Sequence, residues 1–303
     1  MPNIAQATLD KIEAYLEADQ GNRYRALLQR TLPPIEDAYR QEQDNGHRSH
    51  IGASLLGRKC SREIWYSWRW ATRPVFTGRM LRLFNRGHLE EGRMVALLLM
   101  IGCQVHQFTE DGKQFRISGG DGHYGGGLDA VIVGLPEFPG EPLLGEFKTH
   151  NDKSFKKLKE DGLYSAKFEH YVQMQQYMGH YQLKHGLYVA TNKNDDDIYA
   201  EIVDYNLDCH TQAVKRAIRI RNSGEAPARI SRNPGWYECK FCNHHAVCHM
   251  NAAPDVNCRT CVHSRPIHDG QWACHKHGIA ITKDLQLTGC VDYTVHPGIS
   301  ANP

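Results

Sequence analysis

Two apolar runs joined by a Pro/Gly turn constrain this chain most: LDAVIVGL (128–135), then PEFPGEP, then LLGEFKTH (143–150). Strand-like segments on either side of such a turn predict an antiparallel hairpin. The second run carries two opposite charges, Glu146 and Lys148, with one residue between them. Side chains alternate faces along a strand, so these two are presented together while apolar neighbours can meet a core. From this segment alone, an edge strand with a solvated salt bridge reads the same way. Asp129 changes the balance, because it sits near the start of the first strand and an antiparallel return brings it beside Glu146. Two carboxylates that close repel and raise each other's pKa unless a cation sits between them. A Mg or Mn ion is the natural occupant; it would polarise a phosphate, with Lys148 neutralising charge or holding the attacking water. The chemistry this suits is phosphodiester hydrolysis.

At 303 residues the chain is long enough for one large domain, or for a core domain with a small appendage. The longest apolar run, Met94 to Cys103, is too short for a bilayer, and the N-terminus lacks the basic-then-apolar order of a signal peptide. The expectation is a soluble protein of the cytoplasm. A net charge of +2, with 18 histidines outside the count, gives no global basic character, so any nucleic-acid footprint must be local. Residues 1–45 show helical spacing at Leu9, Ile12, Leu16, Leu27, Leu28 and Leu32 before a break at Pro33–Pro34. Ser54 is a candidate cap for a helix through LLGRKCSREIWYSWRW, and Phe84 to Met100 reads as a second helix, interrupted or entered at Gly87. The stretch GGDGHYGGG has no GxGxxG opening a helix, which argues against a dinucleotide site. After the hairpin the pattern predicts helix from about Ser154 to Lys184, a strand LYVATN, a polar turn and a strand IYAEIVDY.

The order D-A-V-I then G-E-F-K-T resembles the PD-(D/E)xK nuclease superfamily, here without the Pro before the Asp. G-H-L-E-E (87–91) is similar to the first helix motif of RecB-like and lambda-type phage exonucleases, in which a glycine is followed four residues later by His or Glu; that position is Glu91. His88 lies on nearly the same helical face and is a candidate second ligand. Y-V-Q-M-Q-Q-Y (171–177) resembles the Q-x-x-x-Y motif, with Gln173 and Tyr177 in the positions that place DNA and the catalytic lysine. The resemblance covers roughly residues 48–250. It implies an α/β restriction-endonuclease-like core, a central mixed sheet flanked by helices, in which Glu91, Asp129 and Glu146, with His88 as a further candidate, hold Mg or Mn. Asp129, Glu146, Lys148, Gln173 and Tyr177 are then the catalytic set.

Seven of the ten cysteines lie between Cys239 and Cys290, a clustering that points to metal rather than disulfides in a cytosolic protein. Cys239, Cys242 and Cys248 are three ligands without a local fourth. The iron-sulfur members of the RecB-like group, among them the CRISPR-associated exonucleases, join one cysteine before the core to three after it. The resemblance thus implies that Cys60 completes a four-iron four-sulfur cluster. Thiolates alone suit zinc equally, with His244 or His245 as alternative ligands. Cys258, Cys261, Cys274 and Cys290 form a second set resembling a zinc ribbon, in a tail too small to bury much core without metal; His263, His275 and His277 are substitutes. Trp272 and Tyr293 would pack against this site or stack on unpaired bases.

Lys153, Lys156, Lys157 and Lys159 follow the catalytic strand and either contact phosphates or mark a solvated helix face. No feature reads base sequence, and no helicase motif is present. The expectation is a sequence-independent, metal-dependent DNA exonuclease, plausibly in phage recombination. A recombinase, single-strand-binding protein or helicase would be a partner. The rivals are a structure-specific endonuclease and a non-catalytic DNA-binding adaptor. Three segments are expected: a helical 1–47, a nuclease domain 48–252 and a zinc-ribbon-like tail 253–303.

Overall fold

The computed structural model describes residues 2–32 and 47–300; the Pro33–Pro34 break lies outside the described residues. The chain forms two compact units: Met1–Gln41, Phe76–Ile117 and Gly127–His210 make the first, and Glu42–Val75, Ser118–Gly126 and Thr211–Pro303 the second. These discontinuous units partition the chain differently from the consecutive segments 1–47, 48–252 and 253–303. The reason is physical: the N-terminal helices bury their apolar faces on the same core as the hairpin, while Cys60 and its helix share a unit with the C-terminal cysteines.

The first unit contains helices α1 (Gln6–Asp19), α2 (Asn22–Thr31), α3 (Gly78–Met100), α4 (Asp152–Ala166) and α5 (Phe168–Tyr181). Its strands are β1 (Gln104–His106), β2 (Ala130–Val133), β3 (Leu143–His150), β4 (His185–Asn192) and β5 (Ile198–Asp204). They form one mixed sheet in the order β1-β2-β3-β4-β5, antiparallel except for β3 and β4, which run parallel because α4 and α5 cross between them. This is the α/β arrangement expected: a central mixed sheet flanked by helices. One sheet face (Leu143, Phe147, Leu187, Val189, Ala200, Ile202) packs with Ile12 of α1 and with Met94, Val95 and Leu98 of α3. The other face, with Leu144, Glu146, Lys148 and Tyr188, lies toward α5, where a Cβ on Gly186 would meet Met174 Cε at 2.7 Å.

The hairpin forms as expected, with Ala130 opposite Gly145 and Ile132 opposite Leu143. Other boundaries differ. Ser54 caps no helix; a short 3-10 turn covers Ala53–Leu55, and the helix Ser61–Trp68 begins after Cys60 at its N-cap position. Helix α3 starts at Gly78, not Phe84, because Thr77 Oγ1 accepts from Met80 N, and it runs unbroken through Gly87. The expected helix from Ser154 to Lys184 is two helices. Asn151 caps the first, Gly162 adopts φ 73° inside it, and Lys167, at φ −142°, separates it from α5.

In the second unit, strand Ile51–Gly52 pairs in parallel with Tyr124 and Gly125, and the short strands Ser264–Pro266, Trp272–Cys274 and Ile279–Ile281 form an antiparallel sheet. Its core is aromatic and cationic. Trp65, Trp68, Trp70 and Trp272 are fully buried. The Arg259 guanidinium lies 4.0 Å from the Trp70 ring centre and 4.8 Å from that of Trp272, and Arg69 lies 5.0 Å from that of Trp65. Arg259 donates to Trp68 O (2.9 Å), Ser49 O (2.9 Å) and Gln286 Oε1 (2.8 Å). Among the described residues, no helix is long and apolar enough to cross a membrane.

Candidate active site and thiol clusters

The register of β2 and β3, extended by one residue, sets Asp129 opposite Glu146. Asp129 Oδ2 accepts the backbone N–H of Phe147 at 2.8 Å, which fixes this carboxylate at the strand edge. Glu146 is fully buried. The Lys148 ammonium forms an ion pair with Glu146 Oε1, lies 3.5 Å from Asp129 Oδ2, and donates to Phe147 O at 3.0 Å. Among the described residues, no hydrogen-bond donor reaches Glu146 Oε2. Burial drives Glu146 toward its protonated form, with Asp129 and Glu91 adding to the push against the pull of Lys148. For Lys148, burial opposes the charge, but the attraction of Asp129 and Glu146 outweighs it and the ammonium is held.

Glu91 joins this cluster from α3. Burial, then the Asp129 charge, raises its pKa to about 7, partly offset by Lys148 and by Gln107 Nε2, which donates to Glu91 Oε1 at 3.1 Å. His88 is exposed on α3 and is not among the groups that shift Glu91. Gln173 Nε2 donates to Tyr177 Oη at 3.2 Å on α5, and burial raises the Tyr177 pKa, with Glu146 adding to it. Among the lysines of α4, Lys156 pairs with Asp152 (2.9 Å) and Lys159 with Asp197 (2.8 Å), while Lys153 and Lys157 are exposed.

The donors fit a hard divalent cation. Three carboxylates interact with one another, one of them buried with an oxygen that no donor among the described residues satisfies, and such an atom costs about 1–3 kcal/mol if left bare.

Beside this cluster lies a network not singled out from sequence. Tyr188 is the register partner of Glu146 on β4, and its hydroxyl is 2.8 Å from His150 Nε2 and 2.9 Å from His170 Nδ1. Ser154 Oγ is 3.3 Å from His150 Nδ1. Burial lowers the His150 pKa to about 4 and that of His170 to about 2, with nearby lysines adding to both. Alternation along LLGEFKTH already places His150 on the face of Glu146 and Lys148, and helical spacing places His170 one turn before Gln173. Tyr188 has no such local signal.

In the second unit, Cys60, Cys239, Cys242 and Cys248 line one cavity with Arg62, Tyr66, Arg229, His244 and His245. Burial raises the Cys239 thiol, and Cys60 and Cys248 push it further; burial takes Cys242 to about 12. Arg62 Nη1 approaches Cys248 Sγ at 3.9 Å, and His244 N donates to Cys242 Sγ at 3.4 Å. His244 Nε2 lies 2.9 Å from Ser67 Oγ, and His245 Nδ1 lies 2.9 Å from Cys239 O. Four thiols lining one cavity fit a soft cation or an iron-sulfur cluster.

Cys258, Cys261, Cys274 and Cys290 line a second cavity, joined by His263, His277 and Asp292; His275 does not line it. Burial raises Cys258 to about 11, and Cys290, Cys261 and Cys274 add to this. The ligand atoms of His277, Cys290 and Asp292 lie within 4.8 Å of one another, with His277 Nε2 3.2 Å from Asp292 Oδ2. Trp272 packs 4.9 Å from Trp68, the packing use rather than base stacking, and the Tyr293 hydroxyl is 3.1 Å from Thr260 Oγ1.

No protein-family model and no curated protein matches the chain. Among solved structures, it is similar to the crystal structure of SSO0001, at 18% identity over 77% of this chain and 99% of that one, with a TM-score of 0.39. It is also similar to an alkaline exonuclease, LHK-Exo, from Laribacter hongkongensis (14%, 61% and 90%, TM-score 0.43) and to LHK-Exo in complex with dAMP (15%, 57% and 86%, TM-score 0.42). At TM-scores below 0.5 these likenesses add no weight to the functional reading, which rests on the residues of the site.

Proposed function

We propose that this chain is a divalent-metal-dependent, sequence-independent DNA exonuclease acting on DNA ends, with a role in phage recombination or related DNA processing in the host cytoplasm. The observation that carries the reading is the acidic cluster: buried Glu146, with one oxygen paired to Lys148 and the other without a donor among the described residues, opposite Asp129 and electrostatically linked to Glu91. Glu91, Asp129 and Glu146 would hold Mg or Mn, which when bound supplies Lewis-acid activation of a phosphate and of water. Lys148 keeps its charge and so can neutralise the anion that develops on phosphorus. Gln173 and Tyr177, tied by their own hydrogen bond, orient the strand. Lys153 and Lys157 are open to phosphates, whereas Lys156 and Lys159 must first leave Asp152 and Asp197.

In the same reading Cys60, Cys239, Cys242 and Cys248 hold a four-iron four-sulfur cluster, and Cys258, Cys261, Cys274 and Cys290 hold zinc in a tail that docks DNA or a recombinase, single-strand-binding protein or helicase. Preference for ends over internal sites rests on the resemblance to RecB-like exonucleases. End-labelled linear DNA and closed circular DNA, incubated with Mg or Mn, test the proposal. Degradation of linear DNA alone supports it. Nicking of circles makes the protein a structure-specific endonuclease, and binding without any cleavage makes it an adaptor.

A further inference from the structure

We propose that His170 is a further substrate-contacting residue of the acidic site, offering its Nε2–H to a phosphate oxygen of the strand bound beside Lys148. The inference rests on the nuclease reading above and adds to it a contact that the Asp/Glu/Lys and Gln/Tyr motifs do not contain.

His170 stands on α5 three residues before Gln173 and seven before Tyr177, so all three share one helical face. Its ring is held at one end only. Nδ1 is bonded to Tyr188 Oη at 2.9 Å, and among the described residues nothing is bonded to Nε2, while the side chain keeps partial exposure. The other half of the arrangement is closed: Tyr188 is fully buried, and His150 is engaged at both nitrogens, by Tyr188 at 2.8 Å and Ser154 at 3.3 Å. A buried chain of three rings that ends in one unbonded nitrogen is what a site needs to aim a donor.

When the Tyr188 hydroxyl spends its one proton on one histidine and accepts from the other, the chain has two polarities. In one, Ser154 Oγ–H donates to His150 Nδ1, His150 Nε2–H donates to Tyr188, and Tyr188 donates to His170 Nδ1, which leaves Nε2–H as the free donor. In the other every bond reverses and Nε2 ends in a lone pair. An anionic phosphate oxygen at Nε2 selects the first. Burial, and after it the Lys148 charge, keeps His170 uncharged, so it binds as a neutral donor and leaves the cationic role to Lys148.

Two measurements decide the matter. In full-length protein carrying Glu146→Gln and ¹⁵N-labelled histidine, with a short single-stranded oligonucleotide added, His170 should carry its proton on Nε2. A proton on Nδ1 in the DNA-bound state overturns the proposal. In otherwise wild-type protein with Mg, His170→Ala should lower kcat/KM about tenfold to a hundredfold, the worth of one hydrogen bond to a charged group. His170→Gln, which keeps a neutral N–H donor, should recover most of that loss. Tyr188→Phe, which keeps the ring but cuts the chain, should fall between wild type and His170→Ala. Circular dichroism of each variant confirms that the fold is kept. If the wild type cleaves DNA and His170→Ala cleaves equally well, the contact is absent although the nuclease reading stands. If the wild type cleaves nothing, the nuclease reading fails, and the histidine spectrum still decides whether His170 meets DNA.

Discussion

In the first unit, Asp129, Glu146 and Lys148 stand on a sheet whose opposite face is packed by α1 and α3 through Ile12, Met94, Val95 and Leu98. In the second, the thiols hang on short helices and three-residue strands around buried tryptophans and guanidiniums, and among the described residues no extended sheet lies beneath them. The difference separates cause from consequence. Apolar burial holds the acidic cluster in place without a metal, so a metal bound there would be free to serve chemistry. In the second unit the buried tryptophans and guanidiniums are the core and the thiols lie on short elements beside it, so a metal there would serve folding.

The sharpest way to break this comparison is to remove metal from the thiols. All five tryptophans of the chain, Trp65, Trp68, Trp70, Trp236 and Trp272, lie in the second unit, so tryptophan emission reports on that unit alone. Cys258→Ser with Cys261→Ser, or extraction with a thiol-competing chelator, should shift the emission to the red at room temperature. The binding energy at stake is about 10 kcal/mol by analogy with structural zinc. An unshifted spectrum in metal-free protein would mean that the Trp/Arg core stands without metal.

Next in size is the acidic site. Asp129→Asn and Glu146→Gln should each lower the rate of hydrolysis about a thousandfold, the scale of losing several kcal/mol of charge stabilisation, while emission and melting stay as in wild type. Melting that collapses with Glu146→Gln would place Glu146 among the groups that hold the fold.

A smaller effect tests the packing of the first unit. A Cβ on Gly92 of α3 would lie 2.5 Å from Thr31 O and 3.1 Å from Leu32 Cα at the end of α2, and backbone gives way poorly. Gly92→Ala should therefore cost about 1–3 kcal/mol, read from denaturant unfolding by far-UV dichroism, with tryptophan emission insensitive to the change.

The smallest effect is a pH dependence. The folded state raises the Glu91 pKa from 4.5 to about 7, so its contribution is fully present below 4.5 and is lost as pH rises through about 7. Without added Mg, the melting temperature of the first unit should fall between pH 5 and pH 8. Saturating Mg, or Glu91→Gln, should flatten that slope; a slope unchanged in Glu91→Gln assigns it to other groups.

Much of the site was legible locally because turn chemistry and strand alternation act within a few residues. PEFPGEP closes the hairpin, and period two puts Glu146 and Lys148 on one face. The C-x2-C spacings at 239 and 258 marked both thiol groups for the same reason. Helix ends were less legible. Ser54 has the composition of a cap, yet its hydroxyl accepts from Arg48 Nη1 at 3.1 Å, and the chain turns before the helix begins. The long helix expected after the hairpin breaks at Lys167, a polar residue that its composition does not mark as a breaker.

The sequence by itself determined the hairpin, the opposition of two carboxylates beside a lysine, and the two thiol groups, since each depends on spacing along one short stretch. Only the tertiary structure decided that Tyr188 stands next to Glu146 and bridges His150 to His170, and that Gln107 braces Glu91. These pairings depend on the register of a parallel crossover and on the closure of long loops. Such choices are set by how whole faces pack, and no local period in the chain encodes them.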